Sequence, residues 1–138
     1  MPRAIIPGEL KRYYDDWRMS PGVAHRGAVY LTGMTATAAD GTVPADAGSQ
    51  IREAFRKVGL VLEEAGLGFS DILEMTSYHV GLRDHLALFR SIRDEFVAEP
   101  YPAWTAIEVA GFVTDGVIVE IRVIAAAPDA GREPASPS

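Results

Sequence analysis

The spacing of apolar residues changes period several times along this chain. Alternation from Val23 to His25 and from Val29 to Ala36, on either side of Arg26-Gly27-Ala28, predicts a hairpin, and Asp40-Gly41 marks a further turn. Ile51, Ala54, Phe55, Val58, Val61, Leu62 and Ala65 then recur at helical spacing, predicting a first helix that Gly66 closes with a left-handed cap. Ile72 to Val80 returns to a strand pattern. Leu88, Phe89, Ile92 and Phe96 make one stripe, with Arg90, Arg93, Asp94 and Glu95 mostly off it, so a second amphipathic helix is expected, stopped by Pro100 and Pro102. Two strands follow, around Trp104 to Val109 and Val117 to Ala125. Arg3 to Pro7 predicts a short edge strand, whereas Tyr13 to Arg18 mixes aromatic and acidic residues without a clear period. Residues 1–126 read as one domain, and 127–138, rich in Ala, Pro, Ser and Gly, as a disordered tail.

Strands, helix, strand, helix and two strands make an α+β domain with two helices on one face of a sheet. Strand parity then sorts the last two strands. Thr105, Ile107 and Val109 are assigned to the core with Val117, Val119, Ile121, Val123 and Ala125; the opposite face receives Trp104, Ala106 and Glu108 together with Ile118, Glu120, Arg122 and Ile124. That second face is too apolar for water and too charged for a core. It reads as a subunit interface containing polar sites.

Composition narrows the function classes. The 138 residues, 48% of them hydrophobic and 23% charged, suffice for one core. With no cysteine there is no disulfide framework, thiolate nucleophile or cysteine metal cluster, and cytoplasmic residence is expected. No apolar run approaches membrane-spanning length, and Met1 to Gly8 is too short and too proline-broken for a signal peptide, so a soluble protein is expected. A net charge of -6 argues against nucleic acid as a partner.

Four segments carry a family resemblance: Ser20-Pro21-Gly22-Val23, Val29-Tyr30-Leu31-Thr32-Gly33, Pro102-Ala103-Trp104 and Val119-Glu120-Ile121. Over about residues 17 to 126 the chain resembles the RidA/YjgF/UK114 family of small trimeric enamine and imine deaminases. The resemblance implies a chorismate-mutase-like fold, a single mixed sheet with two helices on one face. It also implies a homotrimer with the sheets around a threefold axis, small-molecule clefts between subunits, and hydrolysis of imines or enamines without a cofactor. In that family an arginine grips the substrate carboxylate and a glutamate in the last strand handles the attacking water; Glu120 matches the glutamate and is the catalytic candidate. Trp104 stands where the family has the arginine of Pro-Ala-Arg, and an indole offers a single neutral N–H, so hydrolysis of 2-aminoacrylate is expected to be weak. The family's Tyr-Ser pair appears as Met19-Ser20, its Ser-Gly-Gln as Thr32-Gly33-Met34 and its asparagine on the second helix as Phe89 or Arg90.

The candidate ligand-binding residues beside Glu120 are therefore Trp104, Arg18, Met19, Ser20, Met34, Phe89 and Arg122. Trp104 reads equally as a ligand contact and as interface packing. Arg122 is expected to neutralise Glu120, and Arg18 is the substitute anion binder, with a solvated surface role as its plainer reading. His25, His79 and His85 lack zinc spacing and read as structural or surface residues, and neither a metal nor a nucleotide cofactor is implied. A hydrolase, a non-catalytic ligand-binding or regulatory trimer, and an endoribonuclease or translation inhibitor all remain as functions, the last disfavoured by the acidic charge.

Overall fold

The computed structural model describes residues 1–127. Ala127, the first residue of the expected tail, is buried against the core, its amide donating to the Gly27 carbonyl at 3.0 Å; the rest of that tail, 128–138, lies outside the described residues. Strand β1 (Arg3–Ile5) leads through a 3₁₀ turn at Gly8–Leu10 into a short helix α1 (Lys11–Asp15). The chain continues as β2 (Gly22–His25), β3 (Ala28–Leu31), α2 (Ala47–Glu64), β4 (Ile72–His79), α3 (Leu82–Arg93), β5 (Ala103–Glu108) and β6 (Val119–Ala126). One six-stranded sheet results, in the order β1-β2-β3-β6-β4-β5. Its pairings are antiparallel except β4 with β5, which are parallel because α3 carries the chain back across the sheet between them.

Local chemistry explains the main boundaries. Arg26 and Gly27 have φ of 48° and 81°, the two positive angles a tight two-residue hairpin requires, and they join β2 to β3 as expected. The Asp46 side chain accepts from the Ser49 amide at 2.8 Å and caps α2. At the other end Gly66, at φ 77°, lets its own amide reach the Glu63 carbonyl (2.9 Å) and the Leu67 amide reach that of Leu62 (2.8 Å), the closure predicted from the sequence. Ile51, Phe55, Val58 and Leu62 of α2 and Phe89 and Ile92 of α3 pack onto Met75, Val119, Ile121 and Val123 of the sheet, forming the core. Phe55 stacks on Phe96 with centroids 4.9 Å apart.

Three expectations need correction. The aperiodic segment before Arg18 contains a third helix, α1, too short for a period to show. Leu88 faces outward, off the stripe of α3. The third concerns strand parity. In β6 the assignment holds, with Val119, Ile121, Val123 and Ala125 buried. In β5 it is inverted: Trp104, Ala106 and Glu108 register with Met75, Ser77 and His79 on the helix-covered face, while Thr105 and Ile107 are exposed on the other. As an edge strand β5 is barely covered on either side, so apolarity does not mark its inner face; α3, which lies across only one face, decides it.

Candidate active site

Glu120 sits on the face of β6 turned away from α2 and α3, and its carboxyl group is drawn under the segment following β3. That segment leaves the strand at Thr32, whose hydroxyl donates to the Ser20 carbonyl at 2.8 Å. It then returns to β6 through paired Met34 and Ile121 backbone hydrogen bonds of 2.8 and 2.9 Å. Gly33, in between, rests on the Glu120 carboxyl group. A Cβ there would fall 2.5 Å from Oε2, so only glycine leaves the carboxyl room.

A cavity of about 520 Å³ opens around this group, within the size range of small-molecule sites. Thr32, Gly33, Thr35 and Thr37 form one wall, Tyr13, Trp17 and Met19 another, and the loop of Phe112, Val113, Thr114 and Val117 a third. Glu120 is the one carboxylate of the lining among the described residues, and burial pushes its pKa up. The third wall is tied to α2 by Gln50: its Nε2 donates to the carbonyls of Pro44 (2.9 Å) and Gly116 (2.8 Å), and its Oε1 accepts from the Ile118 amide (3.0 Å).

Behind the Tyr13 wall lies a charged cluster. Lys57 of α2 is 2% exposed, donates from Nζ to the Thr37 carbonyl and lies 3.4 Å from the Tyr13 hydroxyl. Arg12 stacks over the rings of Tyr13 and Trp17, 5.1 and 5.9 Å from their centroids, and also reaches the Thr37 carbonyl. Burial, then repulsion from Arg12, pulls the Lys57 pKa down to about 8.

The structure disperses much of the set chosen from sequence. Glu120 and Met19 share the cavity. Ser20 and Arg18 open instead onto a separate surface hollow with Tyr14 and Asp15. Met34 and Phe89 are fully buried core residues. Arg122 occupies the same face as Glu120, two positions along, but no ion pair joins them among the described residues, so the expected neutralisation does not occur.

Trp104 is on the opposite face of the sheet from Glu120. Its ring stacks on Phe89 (5.7 Å, 21°), lies beside Arg93 (5.0 Å) and Arg90 (6.0 Å), and its Nε1–H donates to Ser77 Oγ at 2.8 Å. Ser77 Oγ is 2.7 Å from His79 Nε2, and His79 Nδ1 is 3.0 Å from His85 Nε2. Donors and acceptors match from Trp104 as far as His85 Nε2 if Ser77, having accepted from Trp104, donates to His79 Nε2, and His79 donates from Nδ1 to His85 Nε2. Burial lowers the His79 pKa to about 4, which keeps it neutral in this chain.

Sequence reasoning missed Tyr13, Trp17, Thr35, Thr37, Phe112 and Lys57. Tyr13 and Trp17, one helical turn apart with centroids at 4.8 Å, were the available signal in the aperiodic segment.

A single sheet, a glutamate from its last long strand and a cavity walled by the segment after the first hairpin define a family, and the comparisons agree. Residues 14–127 match the model of the family described as Endoribonuclease L-PSP. The RutC family protein YjgH of Escherichia coli strain K12 is 32% identical over 127 residues, spanning 91% of this chain and 95% of its own. The 2-iminobutanoate/2-iminopropanoate deaminase of the same strain is 35% identical over 88 residues, 62% of this chain and 67% of its own. A solved structure of protein YJGH superposes with a TM-score of 0.84 at 31% identity, covering 92% of this chain and 97% of that one. The chain belongs to this Endoribonuclease L-PSP family, to which the YjgF and RidA proteins also belong. Among the described residues no helix is long and apolar enough to cross a membrane.

Proposed function

We propose that the protein hydrolyses a small imine or enamine in the Glu120 cavity, releasing ammonia and a carbonyl compound. The observation that carries this reading is the carboxyl of Glu120, held against Gly33 at the edge of a ligand-sized space and raised in basicity by burial. A carboxylate of raised pKa takes a proton from water more readily, and a cavity with apolar and hydroxyl walls suits a small, weakly polar substrate. The deaminase name of one relative supports the reaction class. Because Trp104 replaces the family's arginine and its ring is engaged by α3, turnover of 2-aminoacrylate should be poor and more apolar imines preferred. The same feature favours a second reading, a regulatory trimer that binds a small ligand without turning it over.

The working form is a homotrimer of the soluble protein in the cytoplasm, assembled through the sheet face turned away from α2 and α3. Tyr30, Ile107 and Leu73, all more than two-fifths exposed, would be covered by neighbouring copies. The test is ammonia release from imines generated in place from serine, leucine or phenylalanine, compared between the parent and Glu120→Gln. Hydrolysis by the parent that the variant lacks supports the enzyme; tight ligand binding without hydrolysis supports the second reading.

A further inference from the structure

Water addition to a C=N bond needs two proton movements, one away from water and one onto nitrogen. Glu120 accounts for the first. Within the lining, Tyr13 is the only side chain whose hydroxyl is backed by a buried cation: Lys57 Nζ lies 3.4 Å from it and is anchored on the Thr37 carbonyl. An ammonium has only protons to offer, so at this contact the phenol oxygen is the acceptor. Its own proton is then left to point elsewhere, and the cavity is the space that Tyr13 lines.

Resting on the proposed hydrolysis, we infer that Tyr13 is the proton donor to the substrate nitrogen and that Lys57, acting through it, is a positioning residue. As Glu120 takes one proton from water, the water oxygen bonds to the imine carbon. The π pair moves to nitrogen, which takes the Tyr13 proton, and the phenolate is held by Lys57. In the second half Glu120 returns its proton to the same nitrogen, the C–N bond breaks and ammonia leaves. The new hydroxyl gives its proton back to Tyr13 as the C=O bond forms. Both side chains are restored, and the net change is imine plus water to carbonyl plus ammonia.

The surroundings suit these roles. Burial, then the neighbouring carboxylates of Glu120 and Glu53, raises the Tyr13 pKa despite Arg12, so it stays a proton-bearing phenol at neutral pH. Lys57 is faced by Glu53 and Arg56 from its own helix and by Arg12 and Glu9 from the segment around α1. The repulsive partners and burial outweigh the acids, leaving Lys57 charged at neutral pH and discharged above about 8.

The experiment measures hydrolysis of the imines formed from leucine and phenylalanine by an amino-acid oxidase, across pH, in the parent, Tyr13→Phe, Lys57→Met and Glu120→Gln. Tyr13→Phe should lose ten- to a thousandfold in kcat with KM little changed, the usual range for a removed general acid. The parent rate should fall above pH about 8, and Lys57→Met should be slower and lack that limb. If Lys57→Met does not fold, the limb in the parent and its absence in Tyr13→Phe carry the test. Full activity in Tyr13→Phe, with Glu120→Gln inactive, overturns this inference alone. No hydrolysis by the parent, or full activity in Glu120→Gln, overturns the proposed function and this inference with it.

Discussion

Gly33 and Glu120 fit so closely that a single methyl group on Gly33 would overlap the carboxyl, lying 2.5 Å from Oε2 and 2.6 Å from Cδ. The glycine is a spatial requirement of the glutamate rather than of the backbone. Gly33→Ala should leave the fold intact, because the obstructing atoms end a side chain able to swing away, and should cost hydrolysis ten- to a hundredfold by moving the carboxylate about 1 Å. Thermal unfolding beside ammonia release measures both; unchanged activity would mean that the position of Glu120 is not critical.

Glu120→Gln should be less active yet more stable than the parent. The folded-state pKa is raised, so protonation favours the folded form, and that stability is lost as pH rises from the unfolded carboxyl value through the folded one. The variant, which carries no charge to bury, should gain on the order of 1 kcal/mol near neutral pH and nothing in acid. Urea unfolding at pH 4 and 7 checks the difference.

His79 has the opposite sign. Its folded pKa of about 4 lies below the ordinary 6.5, so it contributes stability that is present above pH 6.5 and lost as pH falls towards 4. His79→Gln, able to keep one hydrogen bond of the buried chain, should flatten the unfolding midpoint between those pH values, although its stability at pH 7 will be lower by about 1–2 kcal/mol. Denaturation curves at half-unit pH steps would show it.

From the family motif, Trp104→Arg looks like a restoration of the carboxylate clamp. The structure argues against that outcome. A guanidinium there would sit beside Arg90 and Arg93, lose the stack on Phe89 and release Ser77 from its indole donor. The variant should be destabilised by roughly 2–4 kcal/mol and gain no 2-aminoacrylate turnover from its own subunit's cavity. A calorimetric scan with the serine-derived imine assay decides; recovered deaminase activity would require the arginine to reach a neighbouring copy's site.

Light scattering at micromolar concentration should give a mass three times that of the 14.9 kDa chain. Ile107→Lys, on the exposed face of β5, should shift it towards monomer. A monomeric parent would remove the interfacial part of the proposal.

The sequence by itself determined what depends on neighbours along the chain. The hairpin at Arg26-Gly27, helix α2 with its Gly66 closure, the buried face of β6 and Glu120 on its reverse all follow from period and turn chemistry, which act over a few residues. What only the tertiary structure decided depends on elements far apart in sequence. The inner face of β5 was set by α3 lying over Trp104; Arg18, Met34 and Phe89 left the candidate site because packing turned them to a surface hollow and the core. Tyr13, Thr37 and Lys57 meet only when α1, the segment after β3 and α2 converge, and no local pattern encodes a contact between residues 44 positions apart.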